Sequence, residues 1–292
     1  MARALFVAAA CAVVLSGPGV LGGPVAFASP IVGTSANTLP QGKFMIDLWA
    51  AYQSYDREYS YDLHGEGDEG WIDLPDNVTS TTASFVPRLL YGVTDWLTLR
   101  IAVPLEDRYK DFPDAEGQDM STGLGDVIFD PKVLMYESPS GSTKASFLCG
   151  VRFPTGDTES EVPLSDGSTD FVAGIALSQK AGDVGVHLCS VYWVNGEAES
   201  GVDVRDQSIT TLTLEDPLTE DWSLLWEAKA TLGQDPSKFY RVSACPGVSW
   251  NASERFTIGL SALLSVAAKG CPAITTYDSS WAPFLRVYYR FY

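Results

Sequence analysis

The sequence is poor in positive charge, in histidine and in apolar runs of helix length. Lys and Arg number 19 against 37 Asp and Glu over 292 residues, a formal net charge of -18. Nucleic acid is excluded as a partner, because its phosphates are gripped by clustered Lys and Arg. Histidine occurs twice and cysteine five times. With no CxxC or Cys/His ligand spacing, no zinc site, other metal centre or cofactor is expected. After the first residues no stretch approaches the ~20 apolar residues of a spanning helix, which excludes a helical membrane protein. Yet 46% of the residues are hydrophobic and 12% aromatic, too many for a disordered acidic chain. A mean hydropathy of +0.03 beside a pI near 4.3 requires the charge to be segregated from the apolar part.

Residues 1–28 read as a secretory signal. Arg3 is the charged start, Ala4 to Leu15 the apolar stretch and Ala26-Phe27-Ala28 the cleavage site, so the mature chain is expected to begin at Ser29. A lipoprotein signal ending at Cys11 is the rival reading. Few apolar residues precede that Cys, and Ala8-Ala9-Ala10 lacks a large first residue. Of Cys149, Cys189, Cys245 and Cys271, three fall in strand-like segments and read mainly as small apolar side chains, their pairing open.

From Lys43 onward the chain repeats a stretch of alternating hydrophobicity followed by a connector, the period-two signal of β-strands. The stretches are 43–54, 78–91, 96–105, 125–136, 145–154, 170–180, 184–194, 207–215, 222–232, 239–250, 255–266 and 281–292. Short connectors such as Gly92-Val93-Thr94-Asp95 and Ala181-Gly182-Asp183 alternate with long ones near 55–77, 105–124, 155–169, 195–206, 233–238 and 267–280. Short turns alternating with long loops are how outer-membrane barrels join antiparallel strands. Apolar positions keep one parity: Leu97, Leu99, Ile101 and Val103 alternate with Thr98, Arg100 and Ala102. Such a sheet has one apolar face, inward in a soluble sandwich and outward in a barrel in lipid. Tyr91, Trp96, Tyr136, Trp222, Trp250 and Phe256 flank the short turns, whereas Tyr52, Tyr55, Tyr109, Tyr192, Trp193, Tyr277 and Trp281 lie toward the long loops. Two aromatic girdles favour the barrel.

Three motifs add a family resemblance. Tyr91-Gly92-Val93-Thr94-Asp95-Trp96-Leu97-Thr98-Leu99 followed by Pro104, then Gly123-Leu124-Gly125-Asp126 entering a strand that ends at Tyr136, then Phe153-Pro154-Thr155-Gly156-Asp157, resemble the outer-membrane protein family associated with the MetA pathway of phenol degradation. The resemblance implies an outer-membrane β-barrel and passage of small hydrophobic or aromatic compounds. Leu285, Val287, Tyr289 and Phe291 partly match the C-terminal signal by which the barrel-assembly machinery receives such proteins, although Tyr292 follows.

Parity directs the strand charges to the lumen: Arg88, Arg100, Lys132, Arg152, Lys229, Arg241, Arg286 and Arg290, against Asp47, Asp130 and Glu227. A basic constriction selects anions, carboxylates or phenolates. An interior Arg–carboxylate network can equally hold a barrel shut. A lipid hydrolase would need Ser and His within hydrogen-bond reach. No GxSxG occurs, His64 lies in an acidic loop, and His187 sits one position off Ser190 with no orienting carboxylate evident, so no catalytic residue is assigned. The four long loops within residues 55–206, with Asp170 counted at the end of the third, hold 23 acidic and 4 basic residues. They form a solvated acidic crown or bind divalent cations that bridge to lipopolysaccharide. Gly65-Glu66-Gly67-Asp68-Glu69-Gly70 lacks EF-hand spacing, which disfavours a defined calcium site.

The sequence thus reads as all-β: a signal at 1–28, a periplasmic lead at 29–42 and a 12-stranded transmembrane antiparallel barrel at 43–292. Its expected setting is bacterial outer-membrane lipid and lipopolysaccharide, and its expected role passive passage of small solutes through an Arg/Lys-lined lumen. The alternatives are a non-conducting structural or surface-binding barrel with a plugged lumen, and a soluble secreted sandwich. Fractionation tests this: the protein is expected in the outer membrane, migrating differently on gels before and after boiling, and a soluble protein without that shift would overturn the barrel.

Overall fold

The computed structural model describes residues 30–55, 57–60, 70–73, 79–111, 118–160, 163–197, 206–234, 239–269, 277–278 and 281–291. The strands are β1 (Phe44–Tyr55), β2 (Arg57–Ser60), β3 (Gly70–Asp73), β4 (Thr79–Thr94), β5 (Leu97–Ala102), β6 (Leu105–Asp111), β7 (Gln118–Leu124), β8 (Val127–Phe129), β9 (Lys132–Glu137), β10 (Thr143–Phe153), β11 (Asp170–Ala181), β12 (Val184–Val194), β13 (Gln207–Pro217), β14 (Trp222–Gly233), β15 (Tyr240–Asn251), β16 (Phe256–Lys269), β17 (Tyr277–Asp278) and β18 (Trp281–Phe291). No helix occurs among the described residues.

Twelve antiparallel staves close into a barrel. Ten are single strands, and two are broken. β5 and β6 form the third stave, interrupted at Val103-Pro104, and β7, β8 and β9 the fourth, interrupted at Gly125-Asp126 and Asp130-Pro131. The prolines explain two of the breaks, since each removes a ladder donor. Closure runs through β1, which pairs with β18 from Phe44↔Phe291 to Ala51↔Phe284 and with β4 from Phe44↔Tyr91 to Tyr55↔Ser80. On the far side β10 pairs with β8, β9 and β11.

The connector expected near 105–124 is corrected. β6 pairs with the upper half of β4 and with β7, so both extend the wall beyond the short-turn half. Alternate residues there, Leu105, Met120 and Leu124, are exposed apolar side chains, which suits a continued outer face rather than a polar loop. β2, β3 and β17 pair into a separate small sheet.

Parity separates two chemistries. Phe85, Leu89, Ile101, Phe129, Phe147, Ile175, Trp226, Leu260 and Leu285 are exposed on the outside, whereas Asp47, Thr98, Ser146, His187, Thr213, Glu227 and Arg286 are buried inside. Apolar-out and polar-in is the order required by a barrel in hydrocarbon. Exposed aromatics mark both ends: Trp96, Tyr136, Trp222 and Trp250 by the short turns, Tyr52, Tyr192 and Trp281 by the long loops. Two residues expected in the upper girdle point elsewhere. The Tyr55 hydroxyl donates to Thr82 Oγ1 at 3.1 Å, and Trp193 packs against Arg152 with the guanidinium carbon 5.6 Å from its ring centre. Cys149, Cys189 and Cys245 are free thiols, and Cys271 lies outside the described residues.

An Arg at Ile175, on the lipid face mid-strand, is expected to destabilise the barrel by about 2–4 kcal/mol, measured as a lower denaturant midpoint in phospholipid bilayers.

Candidate functional site: a lumen crossed by the N-terminal segment

Residues 30–39 do not hang below the barrel as a periplasmic lead. They turn in over the short-turn rim and run as a belt along the inner wall. Gly92 permits the entry, because a Cβ there would stand 2.1 Å from the Pro40 carbonyl oxygen. Gly42 follows in a left-handed conformation, φ 74°, and its amide donates to the Gly92 carbonyl at 2.7 Å.

The belt starts at the β4–β5 turn, where Thr38 Oγ1 donates to the Asp95 carbonyl at 2.7 Å and the Leu39 amide to Thr98 Oγ1 at 2.7 Å. Lys132 Nζ on β9 donates to the Ser35 and Asn37 carbonyls at 2.8 and 3.2 Å and to Thr34 Oγ1 at 3.2 Å. On β10, Ser146 Oγ donates to the Ala36 carbonyl at 2.6 Å, and the Ala36 amide donates to Ser178 Oγ on β11 at 2.8 Å. Across the lumen on β14, Glu227 takes the amides of Ile31, Val32 and Gly33 at 3.0, 3.0 and 3.2 Å, while Thr213 Oγ1 donates to the same carboxylate at 2.9 Å. Three consecutive amides on one carboxylate form an anion nest. Arg286 on β18 donates to the Pro30 carbonyl.

Apolar contacts follow the same path. Each of the three buried apolar clusters involves the belt: Ile31, with Val32 beside it, packs with Leu225, Cys245, Leu263, Ala282 and Phe284; Ala36 with Leu148, Ala176 and Cys189; Leu39 beside Met45, Leu90 and Tyr288. Ile31 is 2% exposed and sits in a notch left by two glycines on neighbouring staves. A Cβ on Gly247 or Gly259 would come within 3.1 and 2.9 Å of its side chain.

The strand charges sort into local ion-pair groups. Asp47 is fully buried and receives two bonds from Arg286, at 2.9 and 2.8 Å, with Arg88 3.5 Å away. Arg100 pairs with Asp130 through two nitrogens. Arg152 pairs with Asp170 and lies 3.8 Å from Asp166 and 4.0 Å from Asp126. The expected excess of interior positive charge is therefore smaller than parity counting predicts, because Asp170 and Glu215 are also buried. Lys229 and Arg241 share the inward parity of Glu227 and Cys245, on the long-loop side of the belt. Arg290 lies at the short-turn rim, donating to the Glu254 carbonyl at 3.0 Å.

His187 also gains neighbours that its sequence position hid. Its Nδ1 lies 2.8 Å from Ser178 Oγ, directly across the β11–β12 ladder, and its Nε2 3.6 Å from Glu215 Oε2. A carboxylate does lie near this histidine, contrary to expectation, at ion-pair rather than hydrogen-bond distance. All three side chains are buried and Ser178 Oγ is capped by the Ala36 amide, so the arrangement anchors the belt. The tight turn at Gly182 pairs Ala181 with Val184 and hence Ser178 with His187, a register readable from the hairpin alone. The belt left a fainter signal: interior glycines at 247 and 259 on inward parity mark a close approach.

One cavity of about 520 Å³ lies in the wall, lined by β7 and by Thr155, Gly156, Asp157, Ser160 and Leu164. Among the described residues β7 has a ladder only with β6. Below it Thr155 substitutes for a strand, its hydroxyl accepting from the Val127 amide at 3.0 Å and donating to the Gly125 carbonyl at 2.9 Å.

A family model described as the putative MetA pathway of phenol degradation matches residues 29–277. An outer membrane channel from Pseudomonas putida F1 superposes with TM-score 0.70 at 14% identity, covering 88% of this chain and 98% of that one. The translocator domain of the autotransporter NalP from Neisseria meningitidis gives 0.48 at 10% identity, covering 87% and 89%. The Ralstonia pickettii toluene transporter TbuX gives 0.45 at 10% identity, also covering 87% and 89%. No curated protein sequence matches the chain. A closed barrel with an apolar exterior places the chain in the bacterial outer membrane.

Asp47→Asn is expected to leave Arg286 inadequately paired inside the barrel and to cost about 3–5 kcal/mol. The gel shift between folded and unfolded forms, followed across a denaturant series, measures this.

Proposed function

The chain belongs to the family described as the putative MetA pathway of phenol degradation, and on that footing we propose that it is an outer-membrane channel for small solutes, aromatic compounds among them. Residues 30–39 close it near the periplasmic end. The observation that carries this reading is the mode of attachment. The belt joins no β-ladder and is held by side chains of the wall, so it can leave without breaking any stave. Passage through a lumen follows from withdrawal of the belt, and needs neither a catalytic group nor a cofactor. The inward Arg and Lys residues, largely matched by Asp47, Asp130 and Asp170, then present a polar surface of modest positive excess to the solute. Such a lining supports weak anion preference rather than a strict anion filter.

The same belt favours the second reading, a non-conducting barrel, if it never withdraws. Planar-bilayer recording separates the two. Ile31→Asp puts a second carboxylate beside Glu227 in an apolar notch and is expected to raise conductance several-fold over the unaltered protein. Silence from both proteins would remove the channel reading, and strict cation selectivity would contradict the polarity assigned to the lumen.

A further inference from the structure

The inner wall holds the belt almost entirely by its main chain. Five belt amides donate to wall side chains, those of Ile31, Val32 and Gly33 to Glu227, of Ala36 to Ser178 and of Leu39 to Thr98. Four belt carbonyls accept from the wall, those of Pro30, Ser35, Ala36 and Asn37. Belt side chains add little polar contact: Thr34 accepts from Lys132, and Thr38 donates to the Asp95 carbonyl. Side-chain shape is read chiefly at Ile31, in the Gly247–Gly259 notch, and at the fully buried Ala36. Gly33 is also confined, since a Cβ there would meet Thr211 Oγ1 at 2.6 Å.

A wall that engages amides and carbonyls in this way specifies a peptide through its main chain, curved where three successive amides meet Glu227, and specifies its sequence at few places. We infer that the barrel interior is a peptide-binding site, occupied in cis by residues 30–39. It takes a free peptide carrying an aliphatic residue, a glycine two positions later and a small residue three beyond that, at the places of Ile31, Gly33 and Ala36. The tether merely raises the local concentration of one such peptide, to the millimolar range for a short linker. The site's partner is therefore exchangeable. This inference concerns what the wall binds and stands apart from whether the barrel conducts.

The test keeps the full chain through folding. A protease site replaces the exposed residues 40–42, the folded barrel is cut there, and a fluorescent peptide with the sequence of residues 30–39 is titrated while anisotropy is read. The peptide is expected to bind saturably, displacing the severed segment, and to be competed by its unlabelled form. A peptide with Asp at the Ile31 position, which puts a second carboxylate into the apolar notch beside Glu227, and the barrel variant Glu227→Gln, which removes the charge that three belt amides meet, are each expected to weaken binding at least about tenfold. No exchange after cutting, with the boiling-dependent gel shift intact, would overturn the inference. Equal binding of the Asp-bearing or a scrambled peptide would overturn it too. A cut barrel that binds no peptide yet conducts would leave the channel reading standing alone.

Discussion

Hydrocarbon offers no partner to a backbone amide, so each stave of a lipid-facing sheet must be paired on both edges. Here that requirement is met at the seam where β18 returns to β1 through register pairs from Phe44↔Phe291 to Ala51↔Phe284. Arg286 of β18 reaches across this seam to Asp47 of β1 with two hydrogen bonds and donates also to the carbonyl of Pro30. One guanidinium thus joins the last stave, the first stave and the belt. Because Asp47 is fully buried, the carboxylate depends on that pairing in place of water.

Closing the sheet creates a second constraint inside it. Inward positions carry hydroxyls, carboxylates and guanidinium groups, many of them buried, that need partners within the barrel. The structure answers with short-range neutralisation: Arg100 with Asp130, Arg152 with Asp170, Arg88 and Arg286 with Asp47. Lys132 and Glu227 are met differently. The cation takes belt carbonyls, and the anion takes three belt amides beside one wall hydroxyl, that of Thr213, so a peptide segment supplies most of their hydrogen-bond partners. The belt is in this sense a component of the barrel's internal electrostatics as much as an obstruction.

Much of this architecture was legible in advance. Period-two alternation located all twelve staves, and alternating connector lengths gave their antiparallel order, because lipid on one side and polar lumen on the other write the pleat directly into residue order. Errors arose where hydrophobicity was not the governing signal. The 105–124 segment reads as a loop from its acidic residues, yet its backbone continues the ladder as β6 and β7. His187 was compared with Ser190, three positions along its own strand, when its partner Ser178 stands across the hairpin. Asp170 was assigned to an external loop and proves to be the buried partner of Arg152.

By itself the sequence determined a closed antiparallel barrel with an apolar exterior, because facing and strand order are set locally, by parity and turn length. The fate of residues 30–39 was a tertiary decision. Pro30, Ile31, Gly33 and Ala36 meet Arg286, Glu227, Thr211 and Ser178 on staves separated from them by well over a hundred residues. Such partners become neighbours only after the sheet has closed, and no local pattern in a short, small-residue segment encodes them.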